Sequence, residues 1–232
     1  MIKLVLLTLL TILPAFGTVK LPFLYNCWQF EDTSVGVNAQ PFEIATPAYE
    51  AGVFGNALRC NGTNSSGGVA IGTGTFVYHE SFTGLVWLKP YSLAINQLIV
   101  DSRVSSGSGM VLQLGNSGVP GILIFGLKEG AVQRNVYATN SLSTNTWYCV
   151  FFGFNSVTGK TFLRVNGAQE DALVFPIVPS TAPAGNIAIG TSPTLGGVAL
   201  DGAVDMFTLW KGRVLSNTEM TEIENGDSYP YR

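Results

Sequence analysis

Histidine occurs once in the 232 residues, as His79, which excludes a histidine-rich metal site and most acid–base schemes built on imidazole. Charge is also scarce. Lys+Arg number 12 and Asp+Glu 15, so charged residues make up 12% of the chain, against roughly 25% in an average soluble domain. With a formal charge of −3 and a pI near 5.1, the chain lacks the basic surplus of a nucleic-acid binder. No apolar run reaches the ~20 residues that a membrane-spanning helix needs. Cysteine occurs only three times. What the chain does have is 47% apolar residues, enough for a sizeable core, and 27 glycines. Few charges and many Gly, Ser and Thr suit short strands and tight turns better than long solvated helices.

The N-terminus carries one positive charge in Met1–Lys3, then an apolar stretch over Leu4–Leu13. Pro14 follows, with the small-x-small run Ala15-Phe16-Gly17 behind it. This three-part layout predicts a secretory signal peptide over residues 1–17, a mature chain starting near Thr18 and a secreted protein. The same stretch also reads as a retained segment, with residues 1–24 acting as an N-terminal docking arm. Residues 18–232 show no linker and no repeat, and predict a single domain. Cys27 and Cys60 fall in separate predicted strands. Bridged, they would close a loop of about 34 residues, worth roughly 3–4 kcal/mol in the chain-entropy model. The alternative is that Cys27, Cys60 and Cys149 are buried thiols. Asn61-Gly62-Thr63 and Asn64-Ser65-Ser66 are N-glycosylation sequons.

From Tyr25 onward, short apolar runs alternate with turn residues, as in a sandwich or barrel. Strands are predicted at 25–30, 56–60, 68–71, 82–89, 96–101, 109–114, 121–127, 132–137, 146–154, 160–166, 186–190 and 202–210. Phe82–Lys89 is apolar on both alternating faces, which predicts a central strand. Asn61-Gly62, Asn166-Gly167 and Asp201-Gly202 are placed to reverse the chain, and Thr158-Gly159 to close a hairpin. Residues 31–55 and the proline-bearing 171–185 are predicted as irregular connections. One helix is expected, near the C-terminus. Ser216 and Glu219 form a capping box, Leu215 and Met220 a hydrophobic staple, and Gly226 the stop. The fold class is therefore all-β, a two-sheet antiparallel sandwich with one short C-terminal helix.

Five stretches, in order, resemble the laminin-G-like jelly roll of the concanavalin A-like lectin/glucanase superfamily. Cys27-Trp28-Gln29-Phe30-Glu31-Asp32 is similar to its opening strand. Gly52-Val53-Phe54-Gly55-Asn56-Ala57-Leu58, with Asn61-Gly62, is similar to its G-x-F-G-x-A-L element. Phe82-Thr83 through Trp87-Leu88-Lys89-Pro90 resembles its F-T-x-x-x-W strand. Trp147 to Phe154, followed by Phe162 to Gly167, resembles its paired hairpin. Gly202-Ala203-Val204-Asp205 through Trp210, then Leu215-Ser216 and Glu219, resembles its closing block. The resemblance implies a jelly roll in which Trp28, Trp87, Trp147 and Trp210 are core residues, with Trp87 and Trp147 lying between the sheets.

The chemistry of catalysis is missing. Glucanases on this fold place two carboxylates across a sugar from an E-x-D-x-x-E strand, and no such run occurs here. Glu219, Glu222 and Glu224 sit on the short helix and read as a solvated face. The glycine pairs lack the lysine or helix of a phosphate-binding loop. No enzyme is expected. The resemblance does imply a Ca²⁺ site, for which Asp32, Asn61 and Asp201 are the candidate ligands. The alternative is that they are ordinary turn formers. It also implies a non-catalytic module binding carbohydrate or a surface through rim loops, with Tyr49, Tyr78, His79 and Tyr91 as candidate contacts. A second reading is a structural virion component, a decoration or tail-associated protein of a phage. The expected partner is a glycan, or a cell-surface or virion protein, and a homo-oligomer is compatible with both readings.

Overall fold

Alternating apolar runs need a second apolar layer to cover them, and in the computed structural model two sheets face each other. The structure describes residues 24–28, 30, 42–44, 46–70, 80–103, 108–116, 118–129, 132–170, 186–193 and 198–227. In chain order the strands are β1 (Leu24–Trp28), β2 (Phe42–Ile44), β3 (Tyr49–Ala51), β4 (Asn56–Asn61) and β5 (Gly68–Ala70). Next come β6 (Phe82–Pro90), β7 (Gln97–Asp101), β8 (Gly109–Asn116), β9 (Val119–Glu129) and β10 (Val132–Ser141). The last six are β11 (Tyr148–Asn155), β12 (Lys160–Val165), β13 (Ala168–Glu170), β14 (Ile187–Ile189), β15 (Val198–Ala199) and β16 (Asp201–Lys211). A single helix, α1 (Asn217–Glu224), follows. Each of the twelve predicted strands has its counterpart. β2 and β3, three residues each, lie in the stretch expected to be irregular.

The first sheet runs β13-β12-β11-β6-β16-β4-β3, with β1 also on β16. The second runs β10-β9-β8-β7-β14-β5-β2, with the two-residue β15 alongside β7. All pairings are antiparallel except β15 with β7. β6 is central, as its two apolar faces require. Asn166 and Gly167 adopt φ of 45° and 80°, and this left-handed pair closes the β12–β13 hairpin. Asp201-Gly202, expected to be a turn, instead opens β16, where Gly202 pairs with Cys60 on one side and Pro90 on the other.

Between the sheets the core is phenylalanine and aliphatic. Phe82, Phe125, Phe152, Phe154 and Phe207 pack with Leu58, Val86, Leu112 and Ile189. The tryptophans are elsewhere, which corrects the expectation for Trp87 and Trp147. Val86 and Leu88 face inward, so period-two alternation turns Trp87 to the opposite face, where its ring meets Phe54 edge-on at 5.9 Å. Trp147 precedes β11 and is half-buried, with Lys89 Nζ 4.9 Å from its ring. Trp210 is fully buried, but in a second cluster on the outer face, where Leu85, Phe151, Phe162, Leu215, Met220 and Ile223 lie under α1. β1 pairs with β16, opposing Trp28 to Phe207; the Trp28 side chain lies outside the described residues.

Of the two readings of the cysteines, Cys60 follows the buried-thiol one. Cys60 is a free, buried thiol. Along β16, Cys27 opposes Thr208 whereas Cys60 opposes Gly202. At about 3.3 Å per residue, that register sets the two roughly 20 Å apart, beyond any disulfide. Burial pushes the Cys60 thiol up to about 12, with Asp201 adding and Arg59 opposing, so it stays protonated and inert. Cys149 is likewise free, and burial raises it well above the usual thiol range.

α1 begins as the capping box requires. Glu219 N–H donates to Ser216 Oγ at 3.3 Å, and Ser216 N–H to Glu219 Oε2 at 2.8 Å. Partial burial works to raise the Glu219 pKa. The Ser216 N–H, the Arg213 guanidinium and the Ser216 hydroxyl outweigh it and hold the carboxyl below its ordinary 4.5. A depressed folded-state pKa adds stability above the unfolded value and loses it in acid. The wild-type chain should therefore lose stability as pH falls below about 4.5, and Glu219→Gln should lose less over that window. Urea titrations at pH 7 and 3.5 measure this; identical pH dependence would remove Glu219 from the account.

Candidate functional site

Two surfaces bring polar and aromatic side chains together. The first, on the outer face of the first sheet, contains Tyr91 and Asp201. Glu50 on β3 accepts a hydrogen bond from Tyr91 Oη and pairs with Lys89 Nζ, both at 2.5 Å. Arg59 on β4 places Nη2 2.9 Å from Asp201 Oδ1 and Nε 3.7 Å from Glu50 Oε2. Its guanidinium lies 4.3 Å from the Tyr91 ring centroid. Burial opposes the Lys89 charge, but hydrogen bonds to Glu50 and Tyr91 outweigh it and hold the ammonium above its usual range. Burial, then Glu50, raises the Tyr91 phenol. Two cations and two carboxylates neutralise one another here, tying β3, β4, β6 and β16 together. Tyr91 is a strut in this knot: its hydroxyl and its ring are both engaged.

The other sequence candidates separate. Tyr49 opposes Leu58, is half-buried and packs against the inter-sheet core, away from Tyr91's charged neighbours. Tyr78, His79 and Asp32 lie outside the described residues. Asn61 and Asp201 are cross-strand partners, and each has one side-chain oxygen already engaged. Asn61 Oδ1 accepts from Thr63 N at 3.1 Å and Thr63 Oγ1 at 2.6 Å, while Asp201 Oδ1 carries Arg59. Calcium needs six to eight oxygens. Among the described residues, no group of three or more His, Cys, Asp or Glu is placed to hold a metal.

The second surface was not among the sequence candidates. It is the outer face of β10, β9, β8 and β7. Val136 and Ala138 of β10 face the core, so Gln133, Asn135 and Tyr137 point away from it. Gln133 Nε2 donates to Asn135 Oδ1 at 2.8 Å, and Asn135 Nδ2 to Tyr137 Oη at 3.3 Å, making a ladder of planar amides ending in a phenol. Tyr137 is 45% exposed. The floor beside the ladder is Gly126, where any Cβ would meet Asn135 Oδ1 at 2.4 Å. Side-chain rows then run across the strands. Tyr137 opposes Ile124, Ile124 opposes Gln113, and Gln113 opposes Leu98; Asn135 opposes Gly126, Gly126 opposes Val111, and Val111 opposes Asp101. At about 4.8 Å per strand, each row spans roughly 14 Å. Asp101 is buried and held by Arg103, whose Nε and Nη2 meet its two oxygens at 2.9 and 3.1 Å. Ile124, Val111, Leu98 and Asp101 are buried, so the accessible part of this face is the β10 ladder, whose amides and phenol offer hydrogen bonds in fixed directions. The signal in the sequence was the alternation of Gln133, Asn135 and Tyr137 through a predicted strand.

Residues 61–221 match the family described as the concanavalin A-like lectin/glucanases superfamily. No curated protein sequence matches the chain. Among solved structures, the chain is similar to domain 4 of AbnA, an extracellular arabinanase of Geobacillus stearothermophilus, in complex with arabinotriose. The TM-score is 0.72 at 19% identity, over 87% of this chain and 98% of that one. It is also similar to the ligand-binding domain of botulinum neurotoxin serotype D in complex with N-acetylneuraminic acid. There the TM-score is 0.67 at 14% identity, over 88% and 51%. A pentraxin of Limulus polyphemus aligns with a TM-score of 0.51 at 16% identity, over 66% and 72%. At these identities the likeness is one of fold.

Proposed function

The chain belongs to the concanavalin A-like lectin/glucanases superfamily, and on that premise we propose that it is a non-catalytic carbohydrate-binding module acting outside the cell. The observation that carries the proposal is the Gln133–Asn135–Tyr137 ladder on the outer face of the second sheet. Sugars present hydroxyls in fixed directions and apolar C–H faces. Planar amides bind the first, and an exposed aromatic ring stacks on the second. The two similar domains solved with arabinotriose and N-acetylneuraminic acid support a sugar as the ligand class. The acidic side chains of α1 serve structure rather than hydrolysis. Glu219 caps the helix, and Glu224 Oε2 lies 3.3 Å from Arg164 Nη2. Among the described residues, no helix is long and apolar enough to cross a membrane.

The test is calorimetric titration with arabinotriose, cellotriose, laminaritriose, lactose and sialyllactose, preceded by a glycan array. At least one sugar class should bind, and Tyr137→Ala should weaken it about tenfold, or ~1.4 kcal/mol. The melting temperature should hold, because the ring is exposed. An array with no bound glycan, or unchanged affinity in Tyr137→Ala, would overturn the assignment of this face.

A further inference from the structure

One cation on this face has no ion pair among the described residues. Among the described residues, Arg59, Lys89, Arg103, Arg164 and Arg213 all stand in ion pairs. Lys128, on β9, has none. It is half-buried. Its cross-strand neighbours are Gln133 on one side and Gly109 on the other. Leu127 faces the core, so Lys128 points to the same outer face as Asn135 and Tyr137. Gly109 contributes no side chain beside it, and the space a side chain there would need is taken by the Ser102–Arg103 backbone. Arg103 borders that position, since a Cβ on Gly109 would lie 2.5 Å from Arg103 Cα. Arg103 itself is neutralised by Asp101. Among the described residues, the face therefore carries one unpaired positive charge at its Lys128–Gln133 end and an aromatic ring at its Tyr137 end.

We propose that this face selects a carboxylated oligosaccharide, whose acidic residue pairs with Lys128 while a neutral residue stacks on Tyr137. This rests on the carbohydrate reading above and adds charge selectivity to it. Lys128 would be a specificity-determining residue: a carboxylate beside it supplies the missing counter-ion, whereas a neutral sugar leaves the ammonium to water. Attraction of this kind weakens with salt, while stacking on Tyr137 does not.

The experiment uses matched probes: trigalacturonate against its methyl ester, and sialyllactose against lactose, each titrated into wild-type protein, Lys128→Gln and Tyr137→Ala. In at least one pair the acid should bind about fivefold more tightly than its neutral partner. Raising salt should erase that preference, and so should Lys128→Gln with the neutral partner's affinity unchanged. Tyr137→Ala should weaken acid and neutral probes alike. Equal binding of acid and neutral partners by wild type, with Tyr137→Ala still weakening both, would overturn the charge selectivity and leave the carbohydrate reading standing. No binding of any probe or array glycan would overturn both. Lys128→Gln is a surface change on a strand that keeps its hydrogen bonds, and an unchanged melting temperature verifies that it folds.

Discussion

Replacing Asp205 by alanine should lower the unfolding free energy by about 4 kcal/mol, because two backbone donors lose a buried, charged acceptor. Asp205 is fully buried, and its Oδ2 accepts from Val53 N–H at 2.8 Å and Phe54 N–H at 2.9 Å. Two features of the chain make that contact. The register of β16 against β6 shifts between Asp205 and Thr208, and Met206 there takes a φ of 48°, the left-handed conformation of a bulge. Gly52 lets the carboxylate in, since a Cβ at that position would stand 2.5 Å from Oδ2. The G-x-F-G stretch and the G-x-x-D stretch, 150 residues apart in sequence, are thus two halves of one contact. Urea unfolding of Asp205→Ala measures the loss. Asp205→Asn keeps an acceptor oxygen without the charge and should lose about half as much. A drop under 1 kcal/mol for the alanine variant would show that the Gly52–Phe54 loop does not depend on this anchor.

Phe152→Ala should cost about as much by a different route, roughly 4 kcal/mol, the range for removing a buried phenylalanine. Phe152 is fully buried, opposes Gly84 on β6, and its ring centroid lies 5.1 Å from that of Phe125. Gly84 is what admits it: a Cβ there would lie 2.3 Å from the ring. Gly84→Ala should therefore also be destabilising, by overpacking. The two effects should couple. Combining Gly84→Ala with Phe152→Leu should lose less stability than the sum of the single changes, since the smaller side chain leaves room for the methyl. Strict additivity in denaturant titrations would place the Gly84 constraint elsewhere.

Much of the architecture was legible because it is local. Period-two alternation marks strands longer than about five residues, and the Ser216–Glu219 box marks the start of α1. Short strands such as Phe42–Ile44 carry too few residues to show a period. The tryptophans were misplaced for a related reason. Phe82–Lys89 is apolar on both faces, so alternation tells which residues share a side but not which side meets the other sheet. The outer face is also buried there, by α1, and it took Trp210 while Trp87 went to Phe54. Tyr91 was a candidate sugar contact and Asp201 a candidate calcium ligand, both chosen for their places near strand ends. Their neighbours Glu50, Arg59 and Lys89 arrive from three other strands, and only pairing reveals that the charges cancel.

The sequence by itself determined a two-layer β domain with a capped helix and without the carboxylate run of a glucanase, because strand period, helix caps and motif spacing are properties of neighbouring residues. Only the tertiary structure decided where Cys27 and Cys60 stand along β16, and that Asp205 holds the Gly52–Phe54 loop. It likewise decided that Gln133, Asn135 and Tyr137 share a face with Lys128 and the Asp101–Arg103 pair. Strand order and register set those distances, and they follow from how the whole set of apolar faces closes on itself, which no single stretch of chain encodes.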